Sequence, residues 1–201
     1  MDEQRSGGPI SLGGRFLISE INLTDPNFYR SVILMVSHDD SGAFGLVLNR
    51  RSRFTLGELL EEMEGSPAAA LPVFVGGPVQ QEALFVLHTD VSRFSEGGDS
   101  KSPLPGVVFE PMARDTLDYL AKEWATRPED DRPKIRIYAG YSGWGPGQVE
   151  GELKSEAWVV IDGTQEMVFH PDPSKGWAEA LASKGPLYQI YLQTGFKPSM
   201  N

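Results

Sequence analysis

Residues 31–49, SVILMVSHDDSGAFGLVLN, contain two apolar runs, 31–37 and 43–49, with the polar segment 39–42 (DDSG) between them. Short runs rich in Ile, Leu and Val are typical of β-strands, whereas Asp, Ser and Gly favour turns. A loop of four or five residues between two such strands indicates an antiparallel hairpin. This stretch therefore predicts a hairpin-rich start to the fold.

Further strands and helices are predicted on both sides of the hairpin. Thr55 and Glu58 match a capping box, and leucines follow at helical spacing up to Met63. The other predicted strands cover residues 15–19, 71–75, 83–88, 134–139 and 157–161, and the other predicted helices begin near Pro111 and cover 146–153, 175–184 and 187–194. Because these elements alternate without a repeated βαβ pattern, we expect an α+β fold with a mixed sheet.

Composition limits the possible functions. The 201 residues are 40% hydrophobic and 23% charged, which is ordinary globular usage and indicates one folded core. The formal net charge of −10 repels phosphate backbones, so broad nucleic-acid binding is not expected. The absence of cysteine excludes a disulfide framework, a thiolate nucleophile and a cysteine-ligated zinc site. The basic residues Arg50, Arg51 and Arg53 are interpreted as a solvated turn.

Composition also suggests how the chain is divided. Residues 1–10 lack periodicity and are expected to be a disordered tail, and residues 11–197 are expected to be a single domain. Residues 92–106 are rich in Ser, Gly and Pro, which predicts a mobile insert. The sequence shows no apolar signal segment and no run of 18 apolar residues, so we expect a cytoplasmic protein without membrane insertion.

The segment 138–148, YAGYSGWGPGQ, contains four glycines and allows three interpretations. A nucleophile elbow would hold Ser142 on a strained turn, but that motif requires glycine at the position of Trp144. An anion-binding loop would use backbone N–H groups, but Gln148 stands where the dinucleotide motif has its third glycine. In the third interpretation, which we favour, the glycines let the backbone pass closely under the rings of Tyr141 and Trp144.

The histidines are the remaining candidates for acid–base chemistry or metal binding. His38, His88 and His170 are far apart in sequence and show neither HxH nor HExxH spacing. Single histidines at strand ends more often hydrogen-bond a turn backbone than transfer protons in catalysis. We therefore predict no metal ion and no cofactor, and we assign no catalytic residue.

Several of these stretches, taken in order, resemble the YqgE/AlgH family of bacterial proteins over about residues 12–195. The resemblance rests on residues 14–18 (GRFLI), 25–33 (DPNFYRSVI), His38, 42–49 (GAFGLVLN), 73–79 (VFVGGPV), Leu87, His88, 140–153 (GYSGWGPGQVEGEL), Trp158 and Trp177. The chain departs from the family pattern at Ser142, where alanine is usual, and at Arg51, where proline is common.

The resemblance implies a single compact domain with a mixed, bent, largely antiparallel sheet and flanking helices. The family carries the label of a transcriptional regulator, but this sequence has neither a basic recognition helix nor the charge for one. The positions that match the family's motifs form the candidate ligand- or partner-binding surface: Arg30, His38, Asn49, Gly76, Gly77, Pro78, His88, Gly143, Trp144, Gly147 and Gln148.

The expected function is that of a cytosolic, non-enzymatic regulatory or adaptor protein. It would bind a protein or small-molecule partner near two glycine-rich segments, residues 76–78 (GGP) and 143–148 (GWGPGQ), which offer turns and an aromatic residue without a completed catalytic set. Two alternatives stay open. One is a hydrolase or other acid–base enzyme that uses His38 or His88, and the other is a direct DNA-binding regulator, which the net charge disfavours.

Overall fold

The computed structural model describes residues 11–93 and 99–196. The strands in this part of the chain are β1 Arg15–Ser19, β2 Val32–Asp39, β3 Gly42–Val47, β4 Arg51–Thr55, β5 Pro72–Val75, β6 Val79–His88, β7 Lys101–Leu104, β8 Val107–Pro111, β9 Ile135–Trp144 and β10 Trp158–Asp162. The α-helices are α1 Leu56–Leu59, α2 Arg114–Lys122, α3 Gln148–Lys154, α4 Gln165–Val168, α5 Gly176–Ala182 and α6 Pro186–Thr194. None of these helices has the length and apolar character needed to cross a bilayer.

The predicted hairpin is present as β2 and β3, which pair in antiparallel register with Leu34 opposite Leu46. A β-bulge lies between Met35 and Ser37. Such a bulge bends a strand and increases its twist. The hairpin therefore brings a bent strand into the middle of the sheet.

The sheet divides at β9, because one edge of this strand has two different partners. Residues 137–139 pair in parallel with β5, whereas residues 142–144 pair antiparallel with β3. The other edge of β9 pairs antiparallel with β6. One branch thus contains β3, β2, β1 and β10, and the other contains β5 and β4. The expected α+β fold with a mixed, largely antiparallel sheet is confirmed.

The sheet is also rolled, so that β7 at one end of the strand order lies against β2. Near this contact the backbone is so close that a Cβ on Gly14 would lie 2.4 Å from the carbonyl oxygen of Pro103. The rolled sheet encloses the largest core described, in which Phe16, Leu34 and Tyr138 are fully buried. Helices α4 and α5 contribute to this core and cover it.

Two smaller clusters pack helices onto the other face of the sheet. Tyr119 and Leu120 of α2 pack with Ile137 of β9. Val149 of α3 packs with Trp144, at the far end of the same strand. Burying a large apolar side chain contributes about 1.5–3 kcal/mol. Helices α2 and α3 are therefore held at opposite ends of β9.

The first predicted helix is shorter than its pattern indicates. The capping box is present, since the Thr55 N–H donates to Glu58 Oε2 at 2.7 Å. Helix α1 nevertheless ends at Leu59, and a 3₁₀ turn, Glu61–Met63, follows it. Gly57 lies inside this short helix and lowers its helix propensity. The predicted single helix is thus a short α-helix followed by a 3₁₀ turn, and both bury apolar side chains in the same cluster.

The prediction of a mobile insert over residues 92–106 needs correction at its C-terminal end. Lys101–Leu104 forms β7 and pairs antiparallel with β8. Composition missed this strand because its partner β8 supplies backbone hydrogen bonds that do not depend on side-chain type. Residues 94–98 of the insert and the predicted tail, 1–10, lie outside the described residues.

Two further segments that the sequence predicts as turns or loops are strands in the structure. Arg51 and Arg53 lie in β4, which pairs with β5, rather than in a solvated turn. The sequence predicts that the strand before the second glycine-rich segment ends at residue 139, but β9 continues to Trp144. It continues because β3 provides a new pairing partner where β5 ends.

The glycine at position 77 provides a test of this division of the sheet. A Cβ on Gly77 would lie 2.2 Å from the carbonyl carbon and oxygen of Tyr141, so the Gly77→Ala variant should lose about 2–3 kcal/mol of unfolding free energy through overpacking. The matched control is Gly151→Ala in α3, where a Cβ meets open space. Because alanine favours the helix over glycine, this variant should gain about 0.5–1 kcal/mol of unfolding free energy. Urea unfolding of both variants measures the difference. Equal stabilities would contradict the close contact.

Candidate functional site

The two glycine-rich segments cross where the sheet divides. Gly76 donates its N–H to the Ala139 carbonyl at 2.9 Å, and a Cβ on Gly76 would lie 2.3 Å from the Gly140 oxygen. Gly77 lies equally close to Tyr141. Gly140 has a φ of 69°, in the left-handed region that favours glycine. These glycines therefore permit a close contact of backbone with backbone and a bend in β9. Within residues 138–148, Gly143 lies against the Tyr141 ring, as the third interpretation of the sequence expects, whereas a Cβ on Gly145 or Gly147 would meet open space.

An open groove of about 480 Å³ lies beside this crossing, at the end of the β2–β3 hairpin. Its size is within the range of about 300–1,000 Å³ that is usual for small-molecule sites. The residues that line it come from β2, β3, the turn between them, β6 and β9: Ser37, Asp39, Ser41, Gly42, Ala43, Phe44, Val79, Tyr141, Gly143 and Trp144.

Stacked aromatic rings form one side of the groove. The ring centroids of Phe44 and Tyr141 are 4.6 Å apart, with 23° between the ring planes. Phe85 and Phe109 pack edge-on against Phe44 at 5.5 and 5.3 Å. A Cβ on Gly143 would lie 3.0 Å from the Tyr141 ring, so the glycine leaves room for this ring. Phe44 and Tyr141 stay partly exposed and can contact a ligand.

The rim of the groove carries a fixed negative charge. Ser41 donates its hydroxyl and its backbone N–H to Asp39 Oδ1. These hydrogen bonds, helped by the positive charge of Lys101, hold the pKa of Asp39 below its ordinary value. Asp39 is exposed and ionised at neutral pH. The groove thus combines a carboxylate with an aromatic surface.

The buried side of Trp144 is connected to helix α3 through Glu152. Trp144 and Trp158 donate their indole N–H groups to Glu152 Oε2, at 2.9 and 2.8 Å. Gln148 Nε2 donates to Glu152 Oε1 at 3.0 Å, and Gln148 Oε1 accepts the Gly145 N–H at 3.1 Å. Because Trp144 is only 5% exposed, its indole holds α3 against the sheet and offers little surface to a binding partner.

Ser142 lies at the crossing but does not have the geometry of a nucleophile. It is fully buried, and its hydroxyl donates to the Gly76 carbonyl at 3.2 Å. A serine nucleophile needs an accessible hydroxyl that is hydrogen-bonded to a base. The structure therefore gives the nucleophile-elbow interpretation no support.

Each histidine lies against a glutamate. In all three, Nδ1 lies within hydrogen-bonding distance of a backbone N–H, at 3.0, 3.2 and 3.1 Å, and Nδ1 of His170 also lies 2.7 Å from the Asp172 carbonyl oxygen. The imidazoles thus connect separate elements of the fold. The Nε2 contacts to carboxylate oxygens are His38–Glu150 at 2.9 Å, His88–Glu110 at 3.3 Å and His170–Glu179 at 2.9 Å.

His88 belongs to a buried charged cluster under α2, and it does not line the groove. Glu110 Oε2 accepts hydrogen bonds from Arg93 at 3.2 Å and from the Thr116 hydroxyl at 3.1 Å. Burial raises the pKa of Glu110, but His88 and Arg93 outweigh this effect and hold the pKa below its ordinary value. The cluster joins β6, β8 and α2.

Arg30 and Asn49 meet at a third place. Asn49 Oδ1 accepts the Val32 N–H at 2.9 Å, and Asn49 Nδ2 donates to the Arg30 carbonyl at 2.8 Å. Arg30 has a φ of 51°, and its guanidinium lies 5.1 Å from the centre of the Trp177 ring. Asn49 thus stabilises a left-handed turn ahead of β2.

The eleven candidate residues are therefore spread over several places. Four of them lie at the crossing or line the groove: Gly76, Gly77, Gly143 and Trp144. Pro78 is exposed next to these residues, and helix α3 begins with Gly147 and Gln148. The remaining four make the separate contacts described above: Arg30, Asn49, His38 and His88. Sequence reasoning missed Asp39, Phe44 and Tyr141 as lining residues. The Asp39–Ser41 spacing is that of a side-chain-stabilised turn and could have indicated the rim.

The fold and the groove define an α+β protein whose rolled sheet divides at one strand and leaves an aromatic groove beside the division. The AlgH-like family model matches residues 16–189, and the chain belongs to this family. A UPF0301 protein of Myxococcus xanthus is 39% identical over 178 residues, which are 87% of this chain and 92% of that protein. A UPF0301 protein of Thioalkalivibrio sulfidiphilus is 36% identical over 174 residues, 85% of this chain and 88% of that one.

Solved structures show the same fold. The solution structure of the AlgH protein from Pseudomonas aeruginosa matches with a TM-score of 0.70 and 30% identity, covering 98% of this chain and all (100%) of that one. A crystal structure of a protein from Corynebacterium diphtheriae matches with a TM-score of 0.68 and 21% identity over 89% of this chain and 90% of that one, a likeness of fold alone. The resemblance to the YqgE/AlgH family in the sequence is confirmed.

The shared carboxylate of Glu152 can be tested by removing it. The Glu152→Ala variant leaves two indole N–H groups without their acceptor, and we expect a loss of about 1–3 kcal/mol of unfolding free energy. The exposed Glu64→Ala variant is the control and should change stability by less than about 0.5 kcal/mol. The indole Nε1–H resonances of Trp144 and Trp158 should both shift in the first variant. Unshifted resonances would contradict the contact.

The charged cluster under α2 predicts a pH effect. Because the pKa of Glu110 is lower in the folded than in the unfolded chain, its ionisation stabilises the fold at neutral pH. This contribution disappears as the pH falls through the folded-state pKa. The stability advantage of the wild type over Glu110→Gln should therefore shrink between about pH 7 and about pH 3. Chemical unfolding at both pH values measures it, and a constant difference would disprove the assignment.

Proposed function

We propose that this chain is a non-enzymatic regulatory or adaptor protein that binds its partner in the groove beside the glycine crossing. The observation that supports this best is that one open groove combines the stacked rings of Phe44 and Tyr141 with the ionised carboxylate of Asp39. The described residues that line the groove include no histidine. Its chemistry favours binding over proton transfer.

The groove indicates what kind of ligand it accepts. A positively charged group can pair with Asp39 on the exposed rim, while an apolar or flat group contacts the rings of Phe44 and Tyr141. A cation close to an aromatic face gains about 0.5–2 kcal/mol. A lysine or arginine beside an apolar residue in a partner protein meets both requirements, and so does a small aromatic amine. The proposal places this binding in the cytoplasm, as the sequence predicts.

The two alternative functions receive less support from the same contacts. A hydrolase needs a base next to a nucleophile, whereas Ser142 bonds to a backbone carbonyl and His38 and His88 lie against glutamates. A DNA-binding surface at the groove would bring phosphates towards the carboxylate of Asp39, on a chain whose net charge is −10. Binding of a cationic or neutral partner fits these charges better.

Neighbouring aspartates provide a matched test. Asp39 lines the groove, while the adjacent Asp40 is exposed and does not line it. Asp39→Asn keeps an oxygen for the Ser41 hydrogen bonds and removes only the charge. Wild type, Asp39→Asn and Asp40→Asn are immobilised and exposed to proteins and small molecules from cells, and the bound species are quantified by mass spectrometry.

We expect at least one species that wild type and Asp40→Asn retain equally and that Asp39→Asn binds about tenfold more weakly, a difference of about 1.4 kcal/mol. Its binding should weaken as salt concentration rises. Equal retention by all three proteins would reject the groove as the binding site. Thermal unfolding of each variant checks that the charge change leaves the fold intact.

A further inference from the structure

A second pocket, of about 340 Å³, lies where β4, β5 and the start of β9 meet the loop before α5. It shares no lining residue with the groove. Its polar lining residues are Arg51, Lys134, Arg136 and His170, and Phe74 and Phe169 are among its apolar ones. The pocket thus places several basic side chains around an apolar surface.

The charge of this pocket is opposite to that of the whole chain. Three permanent cations line it, and the part of its lining that the structure describes contains no carboxylate, although the net charge of the protein is −10. The nearby carboxylates of Asp172 and Glu179 contact Lys175 and His170. The positive charge is therefore concentrated locally and is not cancelled within the pocket.

Arg136 is the buried member of this set, with 9% of its surface exposed. Its guanidinium donates to the Leu48 carbonyl at 3.3 Å and to the His170 carbonyl, and it lies 4.9 Å from the centre of the Phe74 ring. Within residues 11–93 and 99–196, no carboxylate forms an ion pair with it. Two carbonyl bonds use two of the five N–H groups of a guanidinium.

A buried cation without a counter-charge is unfavourable, because burial removes its hydration. Carbonyl dipoles, the face of Phe74 and the buried Tyr138 hydroxyl compensate for only part of this loss, because none of them carries a negative charge at neutral pH. An oxyanion in the pocket would supply the missing negative charge, and the planar fork of Arg136 suits the geometry of phosphate or carboxylate oxygens. Arg51 and Lys134, both exposed, lie where they can approach the same anion.

We propose that this pocket is a binding site for a small oxyanion, a phosphate or carboxylate group carried on an apolar body. Arg51, Lys134 and Arg136 bind the anionic group, and the apolar body packs against Phe74 and Phe169. The volume is suited to a small molecule rather than to a polymer. This site is independent of the groove and of the function proposed for it.

The proposal is tested with inorganic phosphate and phenyl phosphate as probes and with sodium chloride at the same ionic strength as reference. Titration calorimetry and thermal unfolding of the full chain give the affinity and the stabilisation. Both probes should raise the unfolding temperature above that in chloride. Phenyl phosphate should bind at least tenfold more tightly than inorganic phosphate, because only phenyl phosphate contacts the apolar surface.

Two charge-neutralised double variants separate the site from general electrostatics. Arg51→Gln with Lys134→Gln removes two exposed cations of the pocket and should weaken phenyl phosphate binding at least tenfold. Arg53→Gln with Lys122→Gln removes the same charge at exposed positions outside the pocket and should leave binding unchanged. Arg136→Lys keeps the charge but loses the planar fork, and it should also bind more weakly.

Three results would overturn the proposal. The first is an unfolding temperature in phosphate equal to that in chloride, and the second is equal binding by the two double variants. The third is tighter binding of a single-stranded oligonucleotide than of phenyl phosphate, with the affinity lost in both double variants alike. That last result would assign the basic residues to a polymer and not to a small anion.

Discussion

At the division of the sheet, Gly76 and Gly77 run against Gly140 and Tyr141 with no space for a Cβ on either of the first two residues. This contact lets β9 exchange β5 for β3 along a single edge, and the Val47 N–H completes it by donating to the Gly76 carbonyl at 2.8 Å. The rolled core lies on one side of β9, and helices α2 and α3 pack on the other. The aromatic groove opens beside the same contact, so its shape depends on it.

The polar residues that suggest chemistry in the sequence serve mainly to connect elements of this fold. His38 joins β2 to α3, His88 joins β6 to β8, and His170 contacts α5, in each case through a glutamate. Glu152 likewise joins α3 to two tryptophans. These side chains connect elements of the fold, and His170 also lines the basic pocket, whereas most residues that line the groove and the basic pocket come from strand ends and turns.

Local patterns predicted the fold class well. The hairpin of β2 and β3, the capping box at Thr55 and the last two helices were predictable, because turn residues and apolar spacing act over short distances. The continuation of β9 past Gly140 and the strand β7 were not, since each depends on a partner strand from elsewhere in the chain. Gly143 and Trp144 were predicted and line the groove, but most of the lining of both pockets escaped prediction for the same reason. Phe44 and Tyr141, like Arg51 and Arg136, become neighbours only through strand pairing.

The position of β9 late in the chain also has a consequence for biosynthesis. Its three partners, β3, β5 and β6, all leave the ribosome much earlier, and their edges stay unpaired until residues 135–144 emerge. Unpaired edges of nascent strands readily associate with other chains, and such long-range pairing forms slowly. A translation product that stops before β9 would therefore be a substrate for chaperones and proteases rather than a smaller stable domain.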